Sequence, residues 1–214
     1  MIGGTASGAL ADRNVGPTKA ITVTGVTATG TGNTNYTVTQ QTGLTVTVTE
    51  KAITVSGITA SGTQIYNGTL NVTAAFGGTA AFQASEAAGA GTTGDGKYYD
   101  VDTITLTGTP SGTFADRNVG PTKSITITGI SQGTGTGYAN YTVTQQTGLT
   151  GAVTAKALTV TGSVAGASTQ VYNGTTNTAA LTGTAAFQTG ETEGTGTTSD
   201  GKFYTIGSIV IGGS

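Results

Sequence analysis

The chain nearly repeats itself after about 105 residues. Ala11-Asp12-Arg13-Asn14-Val15-Gly16-Pro17-Thr18-Lys19 recurs as residues 115–123, and the eleven residues from Asn35 to Thr45 recur unchanged as Asn140 to Thr150. Gly78 to Gln83 returns as Gly183 to Gln188, and Asp95-Gly96-Lys97-Tyr98-Tyr99 returns as Asp200 to Tyr204 with one Tyr changed to Phe. Repeats of this length are whole modules rather than coils of a solenoid, so the fold must be one that can be built in succession. Tandem modules usually build length. The repeat also has a phase: Ile2-Gly3-Gly4-Thr5 matches Ile211-Gly212-Gly213-Ser214, so the chain starts and stops at the same point of the repeat.

The local pattern is that of strands. Leu44, Val46 and Val48 alternate with Thr, as do Ile21 and Val23, Ile125 and Ile127, Ile104 and Leu106, and Tyr36 and Val38. A period of two marks half-buried strands. Gly- and Asn-rich stretches at 29–35, 88–96, 131–137 and 190–201 read as loops. Helix signals are confined to one turn's worth of residues at Ala84 to Ala88, between flanking glycines. The alternation changes parity at Glu50-Lys51 and again at Lys156. A parity change flips the buried face, so it marks a bulge or a passage into another sheet. Taken as module junctions, these points give the back half of one module at 1–50, a complete module at 51–155 and the front half of the next at 156–214. Half a sheet leaves open edges, which proteins avoid. The expectation is that the two open halves are completed head-to-tail by neighbouring repeats, by covalent continuation or by strand complementation.

Composition narrows the function. Charged residues make up 8% of the chain and the formal net charge is −2, against roughly 25% charged residues in ordinary soluble domains. Nucleic-acid binding needs clustered Lys and Arg, which are absent. No apolar run approaches the length of a membrane span, and Met1 to Leu10 has neither the basic nor the apolar region of a signal peptide. There is no Cys and no His, which removes thiol chemistry, the commonest general base and the best nucleophile. No catalytic residue, cofactor or metal site is expected.

The sequence at Lys51-Ala52-Ile53-Thr54-Val55, Ile65-Tyr66-Asn67-Gly68-Thr69, Thr113 to Gly120 and Asn140-Tyr141-Thr142-Val143 resembles the YDG repeat of bacterial filamentous-haemagglutinin-like surface adhesins, and is similar to the related MBG modules. The Tyr-Asp-Gly-Thr signature of that family stands here as Tyr66-Asn67-Gly68-Thr69 and Tyr172-Asn173-Gly174-Thr175. Asn keeps the turn chemistry of Asp before Gly and drops its charge. The resemblance implies an all-β module repeated in a very large secreted protein that attaches cells to surfaces, to each other or to a matrix.

Several residue groups bear on chemistry. Asp95, Asp100 and Asp102 supply oxygens of the kind Ca²⁺ takes, but the second copy keeps only Asp200, with Thr205 and Gly207 at the other two positions. Solvated loop carboxylates are the simpler reading, and the same holds for Glu86, Glu191 and Glu193. Asp12-Arg13 and Asp116-Arg117 precede Asn-Val-Gly-Pro and read as turns with locally paired charges. Lys19, Lys51, Lys123 and Lys156 are recurrent. An isopeptide bond of the kind some surface adhesins make would need a buried Lys, an Asn and an acid such as Asp12 or Asp116. The Asn-x-Thr triplets at Asn35, Asn67, Asn71, Asn140 and Asn173 match the glycosylation pattern, which arises by chance in a chain of this composition. Thr-x-Thr runs such as Thr45 to Thr49 fit an amphipathic strand better than an ice-binding array. Tyr98, Tyr99, Phe203 and Tyr204 are the candidates for stacking on a sugar ring, against the alternative of core or cross-strand packing.

The expected protein is thus all-β, a tandem array of Ig-like sandwich modules with β-grasp-like modules as the alternative. Its expected role is structural, as a repeat of a secreted adhesin or extracellular fibre on a bacterial surface or in a biofilm matrix. The alternative is a carbohydrate-binding module. The expected partners are neighbouring copies of the repeat and a surface glycan or matrix polysaccharide.

Overall fold

The computed structural model describes residues 1–60, 62–162, 169–177 and 183–212. Among the described residues, fourteen strands run in chain order, beginning with β1 (Ile2–Gly3), β2 (Ser7–Leu10), β3 (Gly16–Thr24), β4 (Thr27–Ala28), β5 (Thr45–Val48), β6 (Lys51–Ala60) and β7 (Thr63–Ile65). They continue as β8 (Phe76–Phe82), β9 (Leu106–Phe114), β10 (Gly120–Gln132), β11 (Tyr141–Thr144), β12 (Thr150–Thr154), β13 (Val160–Gly162) and β14 (Ala185–Phe187). Among the described residues there is no α-helix, only the 3₁₀ turns Asn33–Asn35 and Tyr138–Asn140. The all-β expectation holds. Residues 84–88 form no helical turn.

The strands assemble as sheets β2-β3-β5, β11-β6-β8 and β7-β12-β10-β9, with small pairs β1-β4 and β13-β14. Two pairings are parallel: Tyr141–Thr144 on Lys51–Thr54, and Ala152 to Thr154 on Thr63 to Ile65. At both parity changes the chain leaves one sheet and enters another, from β5 to β6 and from β12 to β13. Two compact units result: Met1–Gly57, Ala80–Thr109 and Gly129–Gln146 in the first, and Ile58–Thr79, Pro110–Thr128 and Thr147–Ser214 in the second.

The buried hydrophobic side chains of the first unit are Ile53, Val55, Ile130 and Tyr141. Those of the second are Ile58, Phe114, Ile125, Ile127, Val153 and Tyr204. Each contributes about 1.5–3 kcal/mol on leaving water. Equivalent positions of the two copies are not equally buried. Ile125 and Ile127 on β10 are buried, whereas Ile21 and Val23 on β3 are only half-buried, and no residue of 1–50 is fully buried. The strands pair alike, since β3 lies against β5 with the same register irregularity that β10 shows against β12. The difference therefore lies in what covers the sheet face, not in the strands themselves.

Two strand expectations fail in part. Tyr36 and Val38 sit in extended chain outside any strand, while the identical Tyr141 and Val143 lie in β11. Strand β11 exists because β6 pairs with it. Among the described residues nothing pairs with residues 36–39, and Tyr36 is 76% exposed where Tyr141 is 2% exposed. Ile104 also falls outside a strand, two residues before β9.

Candidate functional site

Strand β6 opens with Lys51, whose side chain turns inward and is buried. Its Nζ donates to Asp95 Oδ1 at 2.5 Å, to Glu86 Oε1 at 3.2 Å and to the Thr92 carbonyl at 3.1 Å. It lies 5.2 Å from the centre of the Tyr99 ring. Backbone bonds hold the three acidic and basic segments together: the Thr54 N–H donates to the Gly96 carbonyl, and Glu86 and Tyr99 bridge in parallel. Asp95 is oriented further by N–H donors from Thr92 and Lys97. The hydrogen bond from Lys51, followed by that from the Lys97 backbone, holds the Asp95 carboxyl well below the usual carboxylate range. Burial pulls the Lys51 pKa down, but the hydrogen bonds it donates to Asp95 and Glu86, with their negative charges, outweigh that and raise it overall.

The second unit repeats this constellation. Lys156 Nζ bonds Glu191 Oε1, lies 2.9 Å from Asp200 Oδ1, and sits 4.2 Å from the centre of the Tyr204 ring. Asp200 again accepts N–H bonds, from Thr197 and Lys202. The spacings are the same in both copies, with Glu 35 residues and Asp 44 residues after the lysine. In a chain with only 8% charged residues, a charged triad at fixed spacing was the available sequence signal, and sequence reasoning missed it. Each lysine meets an aspartate and a glutamate, not the asparagine that the isopeptide bond considered above would need.

Beside the first triad, Asp102 and Tyr141 form a second polar cluster. The Tyr141 hydroxyl donates to Asp102 Oδ2 at 2.7 Å and accepts from the Tyr99 N–H at 3.0 Å. Arg13 donates to Asp102 Oδ1 at 2.9 Å and to the Val101 carbonyl. Asn140 fastens the same loop by accepting from the Val15 N–H. A cavity of about 310 Å³ lies here, lined by Arg13, Val48, Tyr99, Val101, Asn140 and Tyr141 among others. The Asp-Arg turn reading needs correcting. Asp12 and Asp116 do cap their turns by accepting from Asn14 and Asn118, but the charges do not pair with each other. Asp12 pairs with Lys19, Asp116 with Lys123, Arg13 with Asp102, and Arg117 donates to the Gly68 carbonyl.

The Ca²⁺-type carboxylates do not converge. Asp95 serves Lys51, Asp102 serves Arg13 and Tyr141, and Asp100 is exposed in a turn rather than on a strand. Among the described residues no group of three or more acidic, His or Cys side chains could hold a metal ion.

The four aromatic candidates fall into different units, Tyr98 and Tyr99 in the first and Phe203 and Tyr204 in the second. Tyr98 packs edge-on against Phe82, with ring centroids 6.4 Å apart, and Tyr204 packs edge-on against Tyr66 at 5.7 Å. Tyr204 is buried, Phe203 and Tyr98 are half-buried, and Tyr99 faces Lys51. Tyr98 and Tyr204 thus have ring partners and Tyr99 has the lysine. A separate, open cavity of about 480 Å³ in the second unit is lined by Gln64, Asn67, Thr73, Thr198 and Tyr204.

The Tyr-Asn-Gly-Thr turns form as the sequence dictates. Asn67 Oδ1 accepts from both the N–H and the hydroxyl of Thr69 at 3.0 Å, and Asn173 does the same for Thr175. Sequence reasoning missed Gln64, which is buried and clamps this loop. Its Nε2 donates to the Asn71 carbonyl, and its Oε1 accepts from the Thr73 N–H and hydroxyl. Gln170 donates likewise to Asn177.

No curated protein and no solved structure matches the chain. A family model for the YDG domain matches residues 1–43 and 49–148. The match covers about two thirds of the sequence, including the repeated segments that build both polar clusters of the first unit, and on that ground the chain belongs to the YDG domain family.

Proposed function

We propose that the chain is a structural repeat of a large secreted bacterial adhesin or extracellular fibre, acting by giving length and attachment, with its open halves completed head-to-tail by neighbouring repeats. The observation that carries this reading is one sequence in two states. Tyr141–Thr144 lies parallel on Lys51–Thr54 in the register Tyr141↔Lys51 to Thr144↔Thr54. The identical Tyr36-Thr37-Val38-Thr39 and the closely similar Lys156-Ala157-Leu158-Thr159 have no strand partner among the described residues. A neighbouring repeat offers each the partner it lacks, in the register Tyr36↔Lys156 to Thr39↔Thr159. Added strands of this kind satisfy open backbone groups and cover an exposed sheet face.

Of the two module folds expected, the parallel pairs support the β-grasp-like alternative over an Ig-like sandwich, whose sheets are antiparallel. The absence of Cys thiols and His imidazoles fits a structural role. Negative-stain electron microscopy of the purified chain over a range of concentrations tests the proposal. Filaments with a regular axial repeat are expected, and isolated particles at every concentration would overturn the intermolecular form. A glycan array checks the carbohydrate-binding alternative, with no specific binding expected.

A further inference from the structure

The structure assigns Lys51 and Asp95, and in the second copy Lys156 and Asp200, as partners in an intramolecular amide bond, with Glu86 and Glu191 carrying the proton. The inference is independent of the assembly proposed above, because both partners of each bond lie within one compact unit. It rests on a constellation built twice. In each copy a lysine with a nearly inaccessible side chain, 8% exposed at Lys51 and 3% at Lys156, touches one aspartate and one glutamate. Backbone bonds hold the segments side by side, and the aspartate is pinned by two N–H groups, so its carboxyl presents the same face to the amine in both copies.

A glycine completes each site. Gly91 and Gly196 have φ of 66° and 67°, and a Cβ there would collide with the glutamate Oε2 and crowd the aspartate Oδ2. A buried ion pair gains little over a neutral substitute, because removing both charges from water costs several kcal/mol. An amide removes one positive and one negative charge from that setting.

The chemistry balances. One glutamate oxygen takes a proton from the lysine ammonium, which frees the Nζ lone pair to attack Cγ of the aspartate. The Nζ–Cγ bond forms, a Cγ–O bond breaks, and the oxygen leaves as water with the proton that the glutamate returns and the second proton lost by nitrogen. The ammonium and carboxylate thus become one amide and one water, with no oxidant or other reagent. Holding the partners in contact supplies an effective molarity on the order of 10⁵ M or more, which offsets the unfavourable condensation in bulk water.

Intact mass of the folded wild-type chain tests the inference, followed by digestion with trypsin after denaturation. The expected result is a mass two waters below the sequence mass, with no cleavage after Lys51 or Lys156. Residues 20–97 and 124–202 should then be released as single peptides, each one water short. Asp95-Gly96 and Asp200-Gly201 can also lose water by cyclising on their own backbone. That route leaves Lys51 and Lys156 cleavable and puts the water loss on residues 52–97 and 157–202, a result that overturns the proposal. The full sequence mass in folded protein overturns it as well. Glu86→Gln and Glu191→Gln are expected to restore one water each, and loss that survives both changes overturns the role given to the glutamates.

Discussion

The Tyr141 hydroxyl donates to Asp102 Oδ2 at 2.7 Å, and both residues are at least 95% buried. Burial first, and then the hydrogen bond to Asp102 with its negative charge, push the Tyr141 pKa up to about 12, against the partly opposing N–H of Tyr99. The native state therefore holds this proton more tightly than the unfolded chain, whose tyrosine titrates near 10.0. The resulting stability is fully present below pH 10 and is lost as the pH rises towards 12. A two-unit shift corresponds to roughly 2–3 kcal/mol. Urea midpoints measured from pH 9 to 12 should fall steeply for the wild type and less steeply for Tyr141→Phe, and parallel curves would refute the assignment.

Asp102 also receives Arg13, so its removal strands two partners. Asp102→Ala is expected to cost on the order of 3 kcal/mol, most of it from the buried tyrosine hydroxyl and the loosened Asp-Arg loop rather than from the exposed guanidinium. Asp102→Asn keeps an acceptor for the hydroxyl and should cost distinctly less. Equal losses for the two variants in denaturant titrations would mean that the hydrogen bond is not the source.

Gln64 makes three hydrogen bonds from a buried side chain across the Tyr-Asn-Gly-Thr loop. Gln64→Leu preserves bulk but leaves the Thr73 N–H and the Asn71 carbonyl without this partner. A loss of about 1–3 kcal/mol is expected, with faster amide hydrogen exchange at Thr73. An unchanged exchange rate there would show that the clamp is dispensable.

Gly137 has φ of 74°, and a Cβ at that position would strike the Asp102 carboxylate. Gly137→Ala therefore combines backbone strain with a clash against a group that cannot move without releasing Tyr141. The expected cost exceeds about 1 kcal/mol. Gly43→Ala is the control, since its φ is also positive but its surroundings are open. A cost no greater than that of the control would place the whole effect in the backbone.

Val38→Pro removes one N–H from the segment proposed to add to a neighbour's Lys156–Thr159 edge. That segment is outside every strand in the isolated chain, so the thermal midpoint of dilute protein should hold while filaments disappear. Filaments of undiminished length in the variant would remove residues 36–39 from the contact.

The strands, their turns and the sheet changes at Glu50-Lys51 and Lys156 were legible in the sequence because they are written in local alternation and in Gly and Asn. Strand β11 could not be told from its unpaired twin at Tyr36, because the two segments are identical and the outcome depends on whether a second strand is within reach. The polar clusters were hidden for a related reason. Lys51 meets Glu86 and Asp95 only after the loop after β8 folds back, and Arg13 meets Asp102 across 89 positions. Local reading could assign those charges only to their sequence neighbours, as it did for Arg13. Their recurrence at fixed spacing was the one clue that did not require the fold.

The half-buried face of β3 bears on how the molecule resists heat and protease. With no fully buried side chain among residues 1–50, this stretch is expected to open under heat or protease before the cores around Ile53 and Val55 and around Ile125 and Ile127 do. If a neighbour covers that face as proposed, the resistance of this segment should depend on concentration. Under the proposed assembly, cleavage within residues 1–50 should slow as protein concentration rises, so degradation would itself report which copies are joined.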